Sequence, residues 1–262
     1  MSRTIERTNV GGLEIELMTL GGGRPLVFLH SGEGPDYGSP FLDALARSFN
    51  VFAPSLPGFG HSSLPDDVKR VDDVAYCMLD LFRAHGLKEI ALVGVSFGAW
   101  AAAEIAVRDT GRLASVTLIS PVGARFSDDP ATKEIEDIYM LAEDEALARA
   151  FANPQGRKRA IDSLTDDDLV VMSRNRIALC QFAWSPYMHN PVLRRWLHRI
   201  DRPTHIVWGE ADRLVSEDCK RAWAARIPGA VVTRIAGVGH FPDVENPIEA
   251  AALVADFAKK HV

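Results

Sequence analysis

Three cysteines, Cys77, Cys180 and Cys219, stand far apart in the 262 residues. The chain therefore lacks the even, closely spaced set that a disulfide framework needs, and it has no CxxC pair for a metal. A reducing compartment, the cytoplasm, is the expectation. No run of Lys or Arg reaches the length of a nucleic-acid or anionic-membrane patch, and the formal net charge is -6, so neither partner is expected. The opening MSRTIERTNVGG lacks the apolar stretch of a secretory signal, which points to a protein that is not exported. One long apolar run exists, IALVGVSFGAWAAAEIAV from Ile90 to Val107. Glu104 and two glycines interrupt it, and a β-rich first half precedes an Ala-rich second half. It reads as buried strand, turn and helix, not as a membrane span.

No Pro, Gly or Ser-rich linker divides the chain, so one core is expected. Short β-rich runs alternate with helical patterns, the signature of βα units and a largely parallel sheet. After a hairpin-like start around VGGLEIELMTLGGG, strands are predicted at PLVFLH, NVFAPS, EIALVGV and LASVTLIS, with helices at FLDALARSF, VDDVAYCMLDLFRAHG and GAWAAAEIAVRD. From Val122 to about Ile200 no β-rich run occurs. Helices are predicted there at ATKEIEDIYMLAEDEALARAFA and at DDDLVVMSRNRIALCQFAW, the latter opened by Thr165 and acidic residues suited to a helix N-terminus. The βα rhythm resumes with PTHIVWGE, SEDCKRAWAARI, AVVTRIAG and PIEAAALVADFAKKH. The predicted organisation is a core over residues 1–121 and 201–262, interrupted by a helical lid over 122–200 after the sixth core strand.

Gly94-Val95-Ser96-Phe97-Gly98 is weak on its own, since a Gly-x-Ser-x-Gly match arises by chance in roughly one chain in ten of this composition. Its context is what counts. The motif falls on a predicted strand-to-helix junction, where glycines permit a tight turn and expose a strained serine. A serine hydroxyl is a poor nucleophile until an imidazole takes its proton, and that imidazole needs a carboxylate to orient it. His240, in the glycine-containing loop GVGHFPDVENP after the last strand, is the best base; His30 is next but precedes the serine. Asp212 in VWGEADRLV lies in a loop after a strand and is better placed than Glu210. Ser96, Asp212, His240 is the chain order of one serine-triad fold and not of the other two.

These segments resemble the α/β-hydrolase family along essentially the whole chain. FLHSGEGP resembles its His-Gly oxyanion segment, PSLPGFGHSS its Pro-Gly-x-Gly-x-Ser turn, GVSFG its elbow, and WGEADRLV and GHFPDVENP its acid and histidine segments. The resemblance implies a mostly parallel sheet flanked by helices, a Ser96–His240–Asp212 triad, and an oxyanion hole from the backbone N–H groups of Phe97 and Gly32. Ser31 stands where the family has glycine, which leaves Ser31 and Glu33 as alternative second donors. Ser31, Arg176, Trp184 and Phe241 are candidate substrate contacts. No metal or organic cofactor is needed, because the triad supplies the nucleophile.

The implied activity is that of a serine hydrolase acting on small carboxylic esters or lactones. The rival within the family is carbon–carbon bond hydrolysis of the meta-cleavage product type. Those enzymes carry Asn before the nucleophile, a lid arginine for a substrate carboxylate and Trp after the histidine; here the positions hold Val95, Arg174 or Arg176, and Phe241. The reading from another class is a ligand-binding or signalling homologue with little turnover. The partner is a small ester or ketone-containing molecule. The apolar edge from Trp184 to Trp196 suits a pocket or a homodimer contact equally.

Overall fold

The structure is a computed structural model that describes residues 2–155, 157 and 161–261. Eight strands form one sheet: β1 (Arg3–Val10), β2 (Leu13–Gly21), β3 (Pro25–Leu29), β4 (Asn50–Pro54), β5 (Ile90–Val95), β6 (Leu113–Ile119), β7 (Thr204–Gly209) and β8 (Val231–Ile235). Their order is β1-β2-β4-β3-β5-β6-β7-β8. β1 and β2 form an antiparallel hairpin and β2 lies antiparallel to β4; every other pairing is parallel. The helices are α1 (Pro40–Leu45), α2 (Val71–Ala84), α3 (Phe97–Arg108), α4 (Glu143–Ala150), α5 (Asp166–Ala183), α6 (Leu193–Trp196), α7 (Glu217–Arg226), α8 (Pro242–Glu245) and α9 (Pro247–Lys260).

Parallel strands covered on both faces must be apolar on both, and β5 and β6 are buried at every position. Alternate residues feed two cores. Val27, Leu29, Ile90 and Leu92 pack with α2, α3 and α7, whereas Leu26, Phe28, Ala91 and Val93 pack with α1 and α9. Because the crossovers put all parallel strands in one direction, the loops after β3, β4, β5, β7 and β8 collect at one edge of the sheet, where α/β proteins build sites.

Between β6 and β7, residues 122–200 contain no strand among the described residues, only the isolated bridges Gly123 to His189 and Ile135 to Val215. The first bridge joins the two ends of the segment: Gly123 N–H donates to Met188 O at 2.9 Å and Asn190 N–H to Gly123 O at 2.9 Å. Thr165 and Asp168 cap the start of α5 reciprocally, as their spacing predicts.

The helix expected over 131–152 is much shorter than its pattern suggests. It is reduced to one 3₁₀ turn at Ile138–Met140 followed by α4. The cause is tertiary. The buried Glu134 carboxylate accepts the Phe126 and Ser127 amides, Ile135 pairs with Val215, Glu136 N–H donates to Leu214 O at 2.8 Å, and Ser216 N–H donates to Glu134 O at 2.8 Å. Backbone groups engaged with the loop after β7 are lost to a helix.

Candidate active site

A single residue, Ser96, separates β5 from α3, and it turns the chain with φ 53° and ψ -111°. Such a conformation costs a non-glycine residue about 1–3 kcal/mol and persists only where its surroundings enforce it. Here they do. Ser96 N–H donates to Ile119 O at 2.9 Å, and its own carbonyl accepts from Trp100 N–H at 3.0 Å. The flanking glycines are sterically required: a Cβ on Gly94 would lie 2.3 Å from Gly98 O, and one on Gly98 would lie 2.1 Å from Leu29 O. The hydroxyl therefore stands at the carboxyl end of the central strand, next to the N-terminus of α3.

His240 follows β8 and Asp212 follows β7. His240 Nε2 lies 2.9 Å from Ser96 Oγ, and Nδ1 lies 2.9 Å from Asp212 Oδ2. Ser96, Asp212 and His240 are all buried. Burial alone would push the Asp212 carboxyl up. The charge and hydrogen bond of His240, the Lys220 charge and the Leu214 amide outweigh it and hold the group below its ordinary value. An ionised Asp212 can only accept, so Nδ1 carries the proton and Nε2 is the acceptor for the Ser96 hydroxyl. That is the tautomer a general base needs.

Among the described residues, the N–H groups of Phe97 and Gly32 have no acceptor within the protein. Glu33 N–H does, in Ser31 Oγ at 3.3 Å. The Ser31 carbonyl accepts from Gly34 N–H at 3.1 Å and from His30 Nδ1 at 2.7 Å. His30 Nε2 accepts from Leu56 N–H at 2.9 Å, so this imidazole is a neutral brace, and burial lowers its pKa to about 4. Ser62, read as turn structure, donates to Ser55 O and accepts from Glu16 N–H.

Described residues of the segment between β6 and β7 pack against this edge. Phe182 of α5 stacks on Phe97 with centroids 6.1 Å apart. The last carbonyls of α4 accept from both loops of the constellation: Arg149 O from Arg213 N–H at 3.1 Å, and Ala150 O from His240 N–H at 2.6 Å. Phe241 packs edge-on against His240 and at a tilt against Phe151, so it stands beside the imidazole.

Arg176 and Trp184, candidate substrate contacts, lie on the outer side of α5. Trp184 is 58% exposed and packs on Tyr139, and the exposed Arg176 lies over the same ring. The inner face of α5 is taken by Asn175, Ala178, Leu179 and Phe182. Helical periodicity turns Arg176 and Trp184 away from that face. Arg174 is also committed, donating to Gly60 O and Ser62 O at 3.0 and 2.8 Å.

Two supporting residues escaped the sequence. Lys220, with its side chain 1% exposed, donates to the Asp212 carbonyl at 2.7 Å and to Glu217 at 2.9 Å. Its place on the face of α7 that carries Cys219 and Trp223 was a readable signal. Glu245 accepts from Ala152 and Asn153 N–H and from Gly239 N–H, tying residues 152–153 to the His240 loop. Nothing local in the sequence announces that role.

An elbow serine hydrogen-bonded through an imidazole to a buried carboxylate, on the carboxyl edge of a parallel sheet, is the arrangement of α/β-fold serine hydrolases. The chain belongs to the Alpha/beta hydrolase family, whose profile matches residues 26–253, and it is a hydrolase. It is 26% identical to a 2-hydroxymuconate semialdehyde hydrolase of Pseudomonas sp. (strain CF600), over 94% of this chain and 90% of that protein. It is 23% identical to Lipase 3 of Moraxella sp. (strain TA144), over 85% of this chain and 73% of the lipase. The crystal structure of a serine hydrolase involved in carbazole degradation superimposes with a TM-score of 0.80 at 19% identity, covering 99% and 100% of the two chains, a likeness of fold. Among the described residues, no helix is long and apolar enough to cross a membrane.

Proposed function

We propose that this hydrolase cleaves small carboxylic esters through an acyl-enzyme on Ser96. The observation that carries the reading is the unbroken hydrogen-bonded chain Ser96 Oγ, His240, Asp212, with both links at 2.9 Å. Ser96 Oγ attacks the carbonyl carbon as its proton passes to His240 Nε2, and Asp212 stabilises the imidazolium. The tetrahedral oxyanion is met by the Phe97 and Gly32 amides, a contribution of about 3 kcal/mol per donor. Collapse breaks the ester C–O bond, and the leaving alkoxide takes the proton from His240. Water, deprotonated by the same imidazole, then releases the acid. The chemistry needs no metal or organic cofactor.

Residues 122–200 act as the lid. Ser96 is only 5% exposed and Phe182 of α5 stacks on the adjoining Phe97, so entry of substrate requires α5 to move. The unpaired Cys77, Cys180 and Cys219 suit a reducing compartment, the cytoplasm.

An ester is favoured over a carboxylate-bearing dienone because the two α5 arginines that could meet that carboxylate are placed elsewhere. Arg174 is bound to two carbonyls and Arg176 is exposed on Tyr139. The similarity to a 2-hydroxymuconate semialdehyde hydrolase keeps carbon–carbon bond hydrolysis as the second reading. Both are tested by hydrolysis of p-nitrophenyl esters from acetate to decanoate and of a coloured 2-hydroxy-6-oxodienoate, with Ser96→Ala alongside. Ser96-dependent ester turnover with a chain-length optimum is expected. Faster loss of the dienoate colour would move the assignment to the second reading. Full activity in Ser96→Ala would refute both, and fluorophosphonate-resistant ligand binding would mark a binding homologue.

A further inference from the structure

The helix that packs on Phe97, α5, reaches into the loop that carries the second oxyanion donor. Asn175, in the middle of α5, is buried, and its carboxamide spans two catalytic-edge loops. Oδ1 accepts from Gly60 N–H at 2.8 Å, and Nδ2 donates to the Glu33 carbonyl at 3.0 Å. Glu33 directly follows Gly32. The loop is shaped around this contact: Gly34 has φ +98°, and a Cβ there would come within 2.0 Å of Asn175 Nδ2. Only glycine both adopts that dihedral readily and leaves room for the carboxamide.

Two further bonds at 31–34 lie within the loop. Gly34 N–H donates to Ser31 O, and Glu33 N–H to Ser31 Oγ. They define the turn's shape, and the His30 brace, bonded to Ser31 O through Nδ1 and accepting from Leu56 N–H through Nε2, anchors its start. Asn175 adds an external restraint at the far end of the turn, because holding the Glu33 carbonyl narrows the range over which the two peptides leading back to the Gly32 N–H can turn. The Leu179 side chain adds a second contact from α5, 2.8 Å from where a Gly32 Cβ would stand.

We propose that Asn175 is a positioning residue for oxyanion stabilisation, one that aligns the Gly32 amide only while α5 is seated. The inference rests on the serine-hydrolase reading above. When the lid lifts to admit substrate, both carboxamide bonds break and the donor loop loses its restraint. When α5 returns, the same motion that buries the substrate restores the donor. Closure and assembly of the oxyanion hole are thereby one event, and hydrolysis is confined to the closed state.

The test uses the full chain with Asn175→Ala and Asn175→Asp. Aspartate keeps an acceptor for Gly60 N–H but, when ionised, has no proton for the Glu33 carbonyl, so it separates the two halves of the contact. Three quantities are measured: kcat and KM on the best ester, amide hydrogen exchange of residues 31–34, and Tm. Both variants are expected to lose about 10- to 100-fold in kcat with KM within about threefold, the scale of a donor misplaced by about 1 Å. Exchange at 32–34 is expected to rise about tenfold or more while β3 and β5 keep their protection. Wild-type kcat in Asn175→Asp would overturn the proposal, leaving only a grip on Gly60. Unchanged exchange at 32–34 in Asn175→Ala, or faster exchange spread equally through β3 and β5, would overturn it as well. Absence of Ser96-dependent turnover in the wild type is a different result, which removes the serine-hydrolase reading itself.

Discussion

Replacing Asp212 by Asn should abolish base catalysis while leaving the site's geometry almost untouched. Asp212 Oδ1 accepts from Leu214 N–H at 2.9 Å and faces Val215 N–H at 3.4 Å, while Oδ2 faces His240 Nδ1. Asparagine at this position must keep its oxygen towards the two backbone donors, because an NH₂ group there would oppose both. Its NH₂ then points at Nδ1 and turns that nitrogen into an acceptor. The imidazole proton moves to Nε2, where it faces Ser96 Oγ and leaves nothing to take the hydroxyl proton. The wrong tautomer costs about 10⁴ in kcat in a serine-triad enzyme, or about 5.5 kcal/mol of transition-state stabilisation. The assay is kcat on the best p-nitrophenyl ester between pH 6 and 9, with Ser96→Ala as the floor. Circular dichroism and Tm of Asp212→Asn should stay close to wild type. A kcat within tenfold of wild type would refute the reasoning, because His240 would then be working without an acceptor on Nδ1.

Two stability predictions concern carboxyls outside the hydrogen-bonded chain, one half-buried with a buried oxygen and one fully buried. Burial raises the Asp243 carboxyl to about 6, and its Oδ1 has no partner among the described residues. The native state thus binds the proton more tightly than the unfolded chain, so stability is fuller below about pH 4 and falls as pH rises towards 6. Asp243→Asn should remove that fall and gain on the order of 2–3 kcal/mol at pH 7.5 over wild type; equal urea midpoints for the two proteins at pH 7.5 would contradict it. Glu104, 1% exposed, accepts from Trp100 Nε1 at 3.1 Å and Asn190 Nδ2 at 2.8 Å and pairs with Arg108. Glu104→Ala should destabilise by about 3 kcal/mol in urea unfolding, with kcat at low urea little changed, and a loss below about 0.5 kcal/mol would show the network to be dispensable.

The sheet was legible because each core strand is a short apolar run bounded by turn residues, as IALVGV is by Glu89 and Ser96. The elbow serine was legible for a steric reason, since glycines two positions either side of a serine answer a constraint at 2.1–2.3 Å. The inserted segment was read less well. Residues 131–142 carry a helical pattern, yet Glu134 to Glu136 pair with the acid loop, a contact spanning about eighty residues that no local window contains. Asn175 was passed over because a polar residue in a charged helix reads as solvated, and only the fold reveals that its face turns inward. Arg176, one helical step away, carries the same ambiguity and stands exposed.

The two ends of the inserted segment meet at Gly123 and Asn190, bonded to each other beside the sheet. The segment therefore leaves and rejoins the core at neighbouring points, an arrangement in which a segment of different length or sequence could be inserted without drawing the sheet's strands apart. Such a replacement would not be free, since the incoming segment must bring its own carbonyls for Arg213 and His240 and its own amide for the Glu33 loop. A chimera built by exchanging residues 123–190 would inherit a new specificity, but it would inherit turnover only if those few polar contacts were carried across with it.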